Sequence, residues 1–389
     1  MKKTLQSFSQ MSTLWWLFAA CFSINLPVAF GSVSLGFFLI FWLISGSYVS
    51  KLALITKNPG ALAALGLLGL YAIGVTYSSA PLPEAGHYLM KYIKFLVIPL
   101  VVGALVSDRY RGYALNAFLV SLIGYLIISY LNWFGLFSFG VMRHGTYMAF
   151  GAYLMLRNAR RHSGQYRVVW SVLGALTVFN ILFIADVRTG ILTVFALLSV
   201  FALETKGLKG LIFVALLASF TVLIYKNIPE TSNLRVVGIQ KEINTKIDQE
   251  GRISSAGARF EMYRNTFTLI KKHPFFGGGT GSIETEYANL IKSKSDMLIK
   301  RVTNPHNQYL MTTQELGLVG LLVLFAFFGV HWWQSYQLEQ KELGHILRAL
   351  IISTMVGSLF NSLLLDSGDG RMYCILAGVL LSCYPAKQS

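Results

Sequence analysis

The sequence predicts an all-α, polytopic membrane protein with about twelve transmembrane helices and one large periplasmic loop. Three observations carry that prediction. Of the 389 residues 54% are hydrophobic and only 13% are charged, against roughly 25% charge in a soluble domain. Apolar runs recur along the chain, which has a mean hydropathy of +0.56, and they approach the ~20 residues a helix needs to cross the hydrocarbon core. Lys and Arg gather in alternate short loops. An open strand would leave backbone groups unpaired in lipid, so the apolar runs read as helices.

In chain order the runs are 13–30, 32–50, 60–78, 92–107, 113–132, 143–157, 168–186, 189–204, 210–225, 307–330, 346–365 and 372–384. The chain thus divides into residues 1–225, with about nine helices, a periplasmic loop domain over 226–305, and residues 306–389 with about three more. The first run follows Lys2 and Lys3 like a signal peptide, but no A-x-A-like site follows it and a second run comes at once. It is therefore expected to be a retained helix. Basic short loops stay cytoplasmic. Lys51/Lys57, Arg109/Arg111, Arg157/Arg160/Arg161/Arg167, Lys206/Lys209, Lys341 and Lys387 all fall on one side, which puts both termini in the cytoplasm. Lys91 and Lys94 are the main exceptions. The net charge of +16 is then mostly topology, and no nucleic-acid partner is implied. Cys21, Cys374 and Cys383 lie in apolar runs without CxxC spacing, as small core residues do.

Unusual polar residues collect on the outer side of this topology. "IADVRTGIL" places Asp186 and Arg188 in a hairpin too short for a soluble loop. An ionisable residue at such a boundary is costly unless paired or beside a wet cavity; a pair with each other or with headgroups is the plain alternative. In the long loop, Phe260, Tyr263, Phe267 and Ile270 follow helical spacing. Ser254 or Ser255 is a candidate cap, and His273-Pro274 a stop. The apolar stripe is expected to lie on the membrane core with Arg259 turned inward beside it, while Arg264, Lys271 and Lys272 face water. "GGGTGS" lacks the Lys-Ser/Thr pair of a phosphate loop and reads as a flexible or tightly turned segment.

"TNPHNQYL" suggests Asn304 as N-cap, Pro305 as first helical residue and His306 in the first turn. There the positive end of the helix dipole disfavours imidazolium. Thr313, Gly317 and Gly320 fall within about 40° of His306 on a helical wheel, a small-residue stripe for close packing. A lone interfacial histidine is more often structural. The cap, the inward face and the two arginines favour a proton-transfer role. "LLLDSGDGRMYC" adds Asp366, Asp369 and Arg371, which serve turn formation or support for His306 or an arginine.

Arginine forks bind oxyanions in bidentate fashion and stay charged; a neutral histidine can deprotonate a hydroxyl. Metal-ligand spacings and a nucleotide-binding domain are not evident in the sequence, so no cofactor is expected. The implied reaction is attack of a hydroxyl on a carbon bearing a lipid-linked pyrophosphate, whose growing charge arginines stabilise. His306-Asn307, nine residues, then Gly317-Leu318-Val319-Gly320 resembles the H-N-x9-G-x-x-G signature of bacterial O-antigen ligases. "ARFEMY", "HPFFGGGTGS" and "DVRTG" resemble further parts of the O-antigen ligase/polymerase family. That resemblance implies a membrane glycosyltransferase of lipopolysaccharide biosynthesis in the bacterial inner membrane, working at the periplasmic face without nucleotide or metal. It would move O-antigen polysaccharide from undecaprenyl pyrophosphate to a lipid A–core sugar hydroxyl. His306 would be catalytic, Arg188 and Arg259 would bind pyrophosphate, and Asn307, Asp366, Asp369 and Arg371 would support them. An O-antigen polymerase and a protein O-oligosaccharyltransferase share the donor. A transporter would place its charges nearer mid-membrane.

Overall fold

The computed structural model describes residues 2–104, 107–136, 145–185, 187–227, 254–293 and 301–382. These form helices, with no strand among the described residues. In order they are α1 (Lys2–Phe22), α2 (Val28–Ile44), α3 (Tyr48–Thr56), α4 (Pro59–Thr76), α5 (Leu82–Tyr92), α6 (Val97–Ala104), α7 (Asp108–Trp133) and α8 (Gly145–Arg161). The second half holds α9 (Gly164–Phe183), α10 (Arg188–Lys206), α11 (Leu208–Asn227), α12 (Ser255–Ile270), α13 (Ile283–Ser293), α14 (Gln308–Gln337), α15 (Lys341–Gly357) and α16 (Asp369–Leu381).

Among the described residues six segments are long and apolar enough to cross a membrane: Pro59–Thr76, Leu82–Ala104, Asp108–Trp133, Gly164–Phe183, Arg188–Lys206 and Gln308–Gln337. The described helices depart from twelve regular spans for identifiable reasons. The run 32–50 is two helices, α2 and α3, bent by 117° where Gly46 and Ser47 both adopt positive φ. The run 92–107 starts earlier, as α5, and is interrupted by a 3-10 turn at Ile93–Leu96. Run 346–365 ends as a helix at Gly357, and its remainder is turn. α16 has only 13 residues, and most of its side chains are packed inside the protein rather than against lipid. Apolar composition reports burial of either kind, in lipid or in protein.

Large apolar side chains such as Leu216, Phe220, Leu322 and Val120 are exposed, as lipid-facing helix surfaces require. Beneath them, small residues let helices approach. A Cβ on Gly145 would lie 2.7 Å from the Gly190 Cα, so α8 and α10 touch backbone to backbone. Cys21 and Cys374 are buried free thiols; Cys383 lies outside the described residues.

The basic loops do gather at one end of the bundle. There Arg157 bonds Glu204 (2.9 Å) and Glu342 (2.8 Å), Arg348 bonds Ser335 (3.2 Å), and Arg111 bonds the Ser382 carbonyl (2.7 Å). α12, α13 and the start of α14 lie at the opposite end, where Tyr88 donates to the Thr303 carbonyl at 2.8 Å.

Candidate functional site

α14 is not one continuous helix. Gly317 has φ 66° and ψ −162°, a left-handed conformation that glycine adopts without steric cost. The break frees backbone groups on both sides, and the segment 274–280 takes them up. Gly278 and Gly279 N–H donate to the Gln314 and Glu315 carbonyls (2.9 and 2.8 Å), while Leu318 and Val319 N–H donate to the Pro274 and Phe275 carbonyls (2.8 and 3.2 Å). The same segment reaches α4 through Thr280 N–H to the Gly74 carbonyl (3.0 Å). Irregular backbone in a membrane-embedded helix survives only where protein satisfies it, and "FFGGGTG" does so here. A Cβ on Gly317 would sit 2.2 Å from the Phe275 carbonyl carbon. Gly317 is therefore a docking notch for the loop, not the small-residue helix stripe its spacing suggests. The glycine-rich segment is tightly turned, with Gly277, Gly279 and Gly281 at positive φ.

The notch is lined with bonded polar groups. Fully buried Glu315 accepts from the Tyr92 hydroxyl (2.8 Å) and Gly281 N–H (2.7 Å). Gln314 donates to Ser282 (2.9 Å) and Glu286 (3.2 Å). Tyr71 and Tyr92 stack at 3.6 Å beside them. Sequence reading passed over Glu315, because one acid in an apolar run announces no partner.

His306 stands two residues before the first residue of α14. The cap is Asn307, whose Oδ1 accepts from Leu310 N–H at 3.0 Å; Asn304 does not cap the helix, and Pro305 is not its first residue. Instead Asn304 Oδ1 accepts from His306 N–H (2.8 Å) and the Ser362 hydroxyl (2.6 Å), an Asx turn that diverts the chain. His306 itself has φ 55°, which for a non-glycine residue costs on the order of 1–3 kcal/mol. Its carbonyl is held by the Tyr263 hydroxyl at 3.1 Å.

The ring is half-buried, and Nδ1 lies 3.2 Å from Asn361 Oδ1. That Asn361 atom also accepts from Ser362 N–H at 3.0 Å, so it is the amide oxygen, and His306 Nδ1 must be the donor. In the neutral ring Nε2 then carries the lone pair, and Nε2 has no hydrogen-bond partner among the described residues. Asn361 was not singled out from the sequence, where "FNSL" looks like an ordinary turn.

Tyr263 links this histidine to α12. Ser254 caps that helix, accepting from Gly257 N–H at 3.0 Å. The expected stripe is not its buried face: Phe260 and Phe267 are exposed, while Glu261, Met262, Asn265, Thr266 and Leu269 are buried. Hydrogen bonding decides the rotation, since Asn265 reaches the Tyr287 hydroxyl of α13 at 3.1 Å. Tyr263 still turns inward, and its hydroxyl also donates to the Leu359 carbonyl at 3.2 Å. Burial raises the Tyr263 phenol above its ordinary value against the pull of the Arg259 charge, so it remains an O–H donor. Arg259 is half-buried one turn from Tyr263, while Arg264, Lys271 and Lys272 are exposed.

Arg188 is the first residue of α10 and is partly buried. Two residues on, Gly190 abuts Gly145; Thr146 lies against Gly357, and the Tyr147 hydroxyl faces Gly368. Arg188 therefore shares an end of the bundle with the 357–368 turn that carries Asn361. Asp186 lies outside the described residues. Asn307, besides capping, donates to the Leu359 carbonyl at 3.0 Å.

The bonds of the other predicted supports run to their own loop or to α2. The Asp366 carboxylate accepts from Gly368 N–H (2.8 Å), Asp369 opens α16, and Arg371 donates to the Val28 carbonyl (2.8 Å) and Ser32 (3.1 Å) of α2. Asn361, not one of these three, touches the His306 ring. Among the described residues no group of three or more His, Cys, Asp or Glu is placed to hold a metal ion.

Residues 173–325 match the family model described as O-antigen ligase. That stretch contains Arg188, Arg259, His306 and Gly317. A Haemophilus influenzae protein described as uncharacterized is 34% identical over 97 residues. The match covers 22% of this chain and 24% of the relative's own length.

Proposed function

We propose that this chain, residues 173–325 of which match the O-antigen ligase family model, transfers O-antigen polysaccharide from undecaprenyl pyrophosphate to a lipid A–core sugar hydroxyl at the periplasmic face of the inner membrane. The observation that carries the reading is the His306 ring: Asn361 Oδ1 accepts from its Nδ1–H, and the Nε2 lone pair has no hydrogen-bond partner among the described residues, at the end of the bundle where Arg188 and Arg259 also stand. His306 Nε2 accepts the acceptor hydroxyl's proton as the sugar oxygen attacks the anomeric carbon. The bond from that carbon to the pyrophosphate oxygen breaks, and undecaprenyl pyrophosphate leaves with the electron pair. Arg188 and Arg259 hold the pyrophosphate as its charge grows. Asn307 fixes the start of α14 beneath the base.

The site end of the bundle faces the periplasm and the basic end, with both termini, faces the cytoplasm, in keeping with the bias of short loops. The guanidinium groups supply the positive charge at the leaving group, so turnover should persist in excess EDTA and without nucleotide. Loss in EDTA with rescue by one divalent ion would overturn that part.

Deleting the gene tests the function. A missing ligase leaves core-only lipopolysaccharide while long polymer accumulates on undecaprenyl pyrophosphate. Lipopolysaccharide capped by a single repeat would instead identify a polymerase, and normal lipid pools with altered glycoproteins a protein-directed transferase. With purified protein, Arg188→Lys and Arg259→Lys should each lose most activity because lysine keeps the charge without the fork; exposed Arg264→Lys should change little. Full activity in both site variants would rule out bidentate clamping.

A further inference from the structure

A second set of cations lines a cleft of about 720 Å³ whose lining does not include His306, a size common for ligand sites. Leu39, Trp42, Ile93 and Leu100 are among its apolar lining, and His87, Lys91, Lys94 and Arg371 are its basic members. Lys94 and Arg371 are bonded only to neutral oxygens: Lys94 to the Leu365 and Asp366 carbonyls, Arg371 to the Val28 carbonyl and Ser32. Among the described residues neither is within ion-pair range of a carboxylate, Asp366 and Asp369 included. Cations placed at the end of an apolar trough match an amphiphile with an anionic head.

We propose that this cleft binds one anionic phospholipid of the bilayer, its headgroup at Lys94 and Arg371 and an acyl chain along α2. The length of the trough fits one leaflet. From Ser32, beside Arg371, to Trp42 is ten residues of helix, roughly 15 Å at 1.5 Å per residue, about half of the ~30 Å hydrocarbon core. A polyprenyl chain much longer than a leaflet has to fold or leave it. The two cation sets also address different helices. Arg371 reaches α2, whereas Arg188 begins α10, which packs on α8. A head bound here braces the Leu365–Asp366 carbonyls through Lys94; Leu364 and Leu365 N–H in turn hold Gln308 Oε1 (2.8 and 3.2 Å), two residues from His306.

Native mass spectrometry of the full chain from phosphatidylcholine nanodiscs doped with phosphatidylglycerol tests the site. It needs no glycan transfer, so it stands apart from the ligase reading. The intact protein should keep one phosphatidylglycerol against excess phosphatidylcholine. Lys94→Gln with Arg371→Gln should lower that preference at least roughly tenfold, from the few-fold gain each cation gives near anionic lipid. Ile93→Trp, which fills the trough and keeps every charge, should also release the lipid and covers the case in which the double variant fails to fold. Equal retention of both phospholipids, undiminished retention by Ile93→Trp, or one-for-one displacement of phosphatidylglycerol by undecaprenyl phosphate would each overturn the proposal.

Discussion

α14 carries one histidine just before its start and another near its far end, and the two are used differently. His331 is fully buried in regular helix; Nε2 faces the Gly60 carbonyl at 3.1 Å and Nδ1 the Tyr373 hydroxyl at 2.6 Å. A carbonyl only accepts, so Nε2 donates and Nδ1 accepts, and nothing on the ring is left over. Around it Gln334 accepts from Gly60 N–H (2.9 Å) and donates to Asn58 (3.2 Å). His306 is half-buried on a strained backbone, with one ring nitrogen held and the other open. A satisfied ring ties helices together. An oriented ring with a spare lone pair can do chemistry. The same contrast runs along the helix itself, regular around His331 and broken at Gly317.

The largest effect expected from this contrast is on turnover. His306→Ala should cost roughly 10²–10⁴-fold in purified enzyme, with only a small loss of melting temperature, because alanine meets the same left-handed backbone and only the half-buried ring with its Asn361 bond is removed. His331→Ala should instead cost about 1–3 kcal/mol of stability for each partner left unpaired, with turnover kept by whatever stays folded. Near-normal turnover for His306→Ala would remove the distinction.

Asn361 sharpens it. Asn361→Leu should lower kcat more than it raises KM, on the order of 10–100-fold, as for other hydrogen bonds that orient a functional histidine. Asn361→Asp keeps the acceptor and should restore much of the rate. It should also move the rising limb of the pH–rate profile to higher pH, because a carboxylate favours imidazolium and raises the pH at which the base is free. An unmoved profile in Asn361→Asp would remove Asn361 from contact with the base.

Two glycines of α14 make a matched pair of smaller effects, read by thermal unfolding. Gly317→Ala meets a positive φ and the Phe275 backbone, so it should lose roughly 1–3 kcal/mol and loosen the 274–280 loop. Gly329 has open space around its missing Cβ, and Gly329→Ala should be neutral or gain up to about 1 kcal/mol. Equal responses would mean the loop does not depend on the notch.

The sequence by itself determined the helical membrane class and the division of basic loops from the polar cluster at the opposite end, because those follow from composition and local charge. A cap at Ser254 or Ser255, the stop before Pro274, the exposed Arg264 and the inward Tyr263 were legible for the same reason, and the structure picks Ser254. Only tertiary structure decided which residues meet. α12 turns Phe260 and Phe267 outward because Asn265 finds Tyr287 across the loop, a partner that helical periodicity does not reveal. Gly317 reads as a packing glycine until a segment some forty residues earlier fills its break. The partner of His306 is Asn361, 55 residues away, while the more conspicuous Asp366, Asp369 and Arg371 turn to their own loop or to α2. Local propensity sets elements; the need to pair every buried polar group sets their register, and that need is met by residues far apart in the chain.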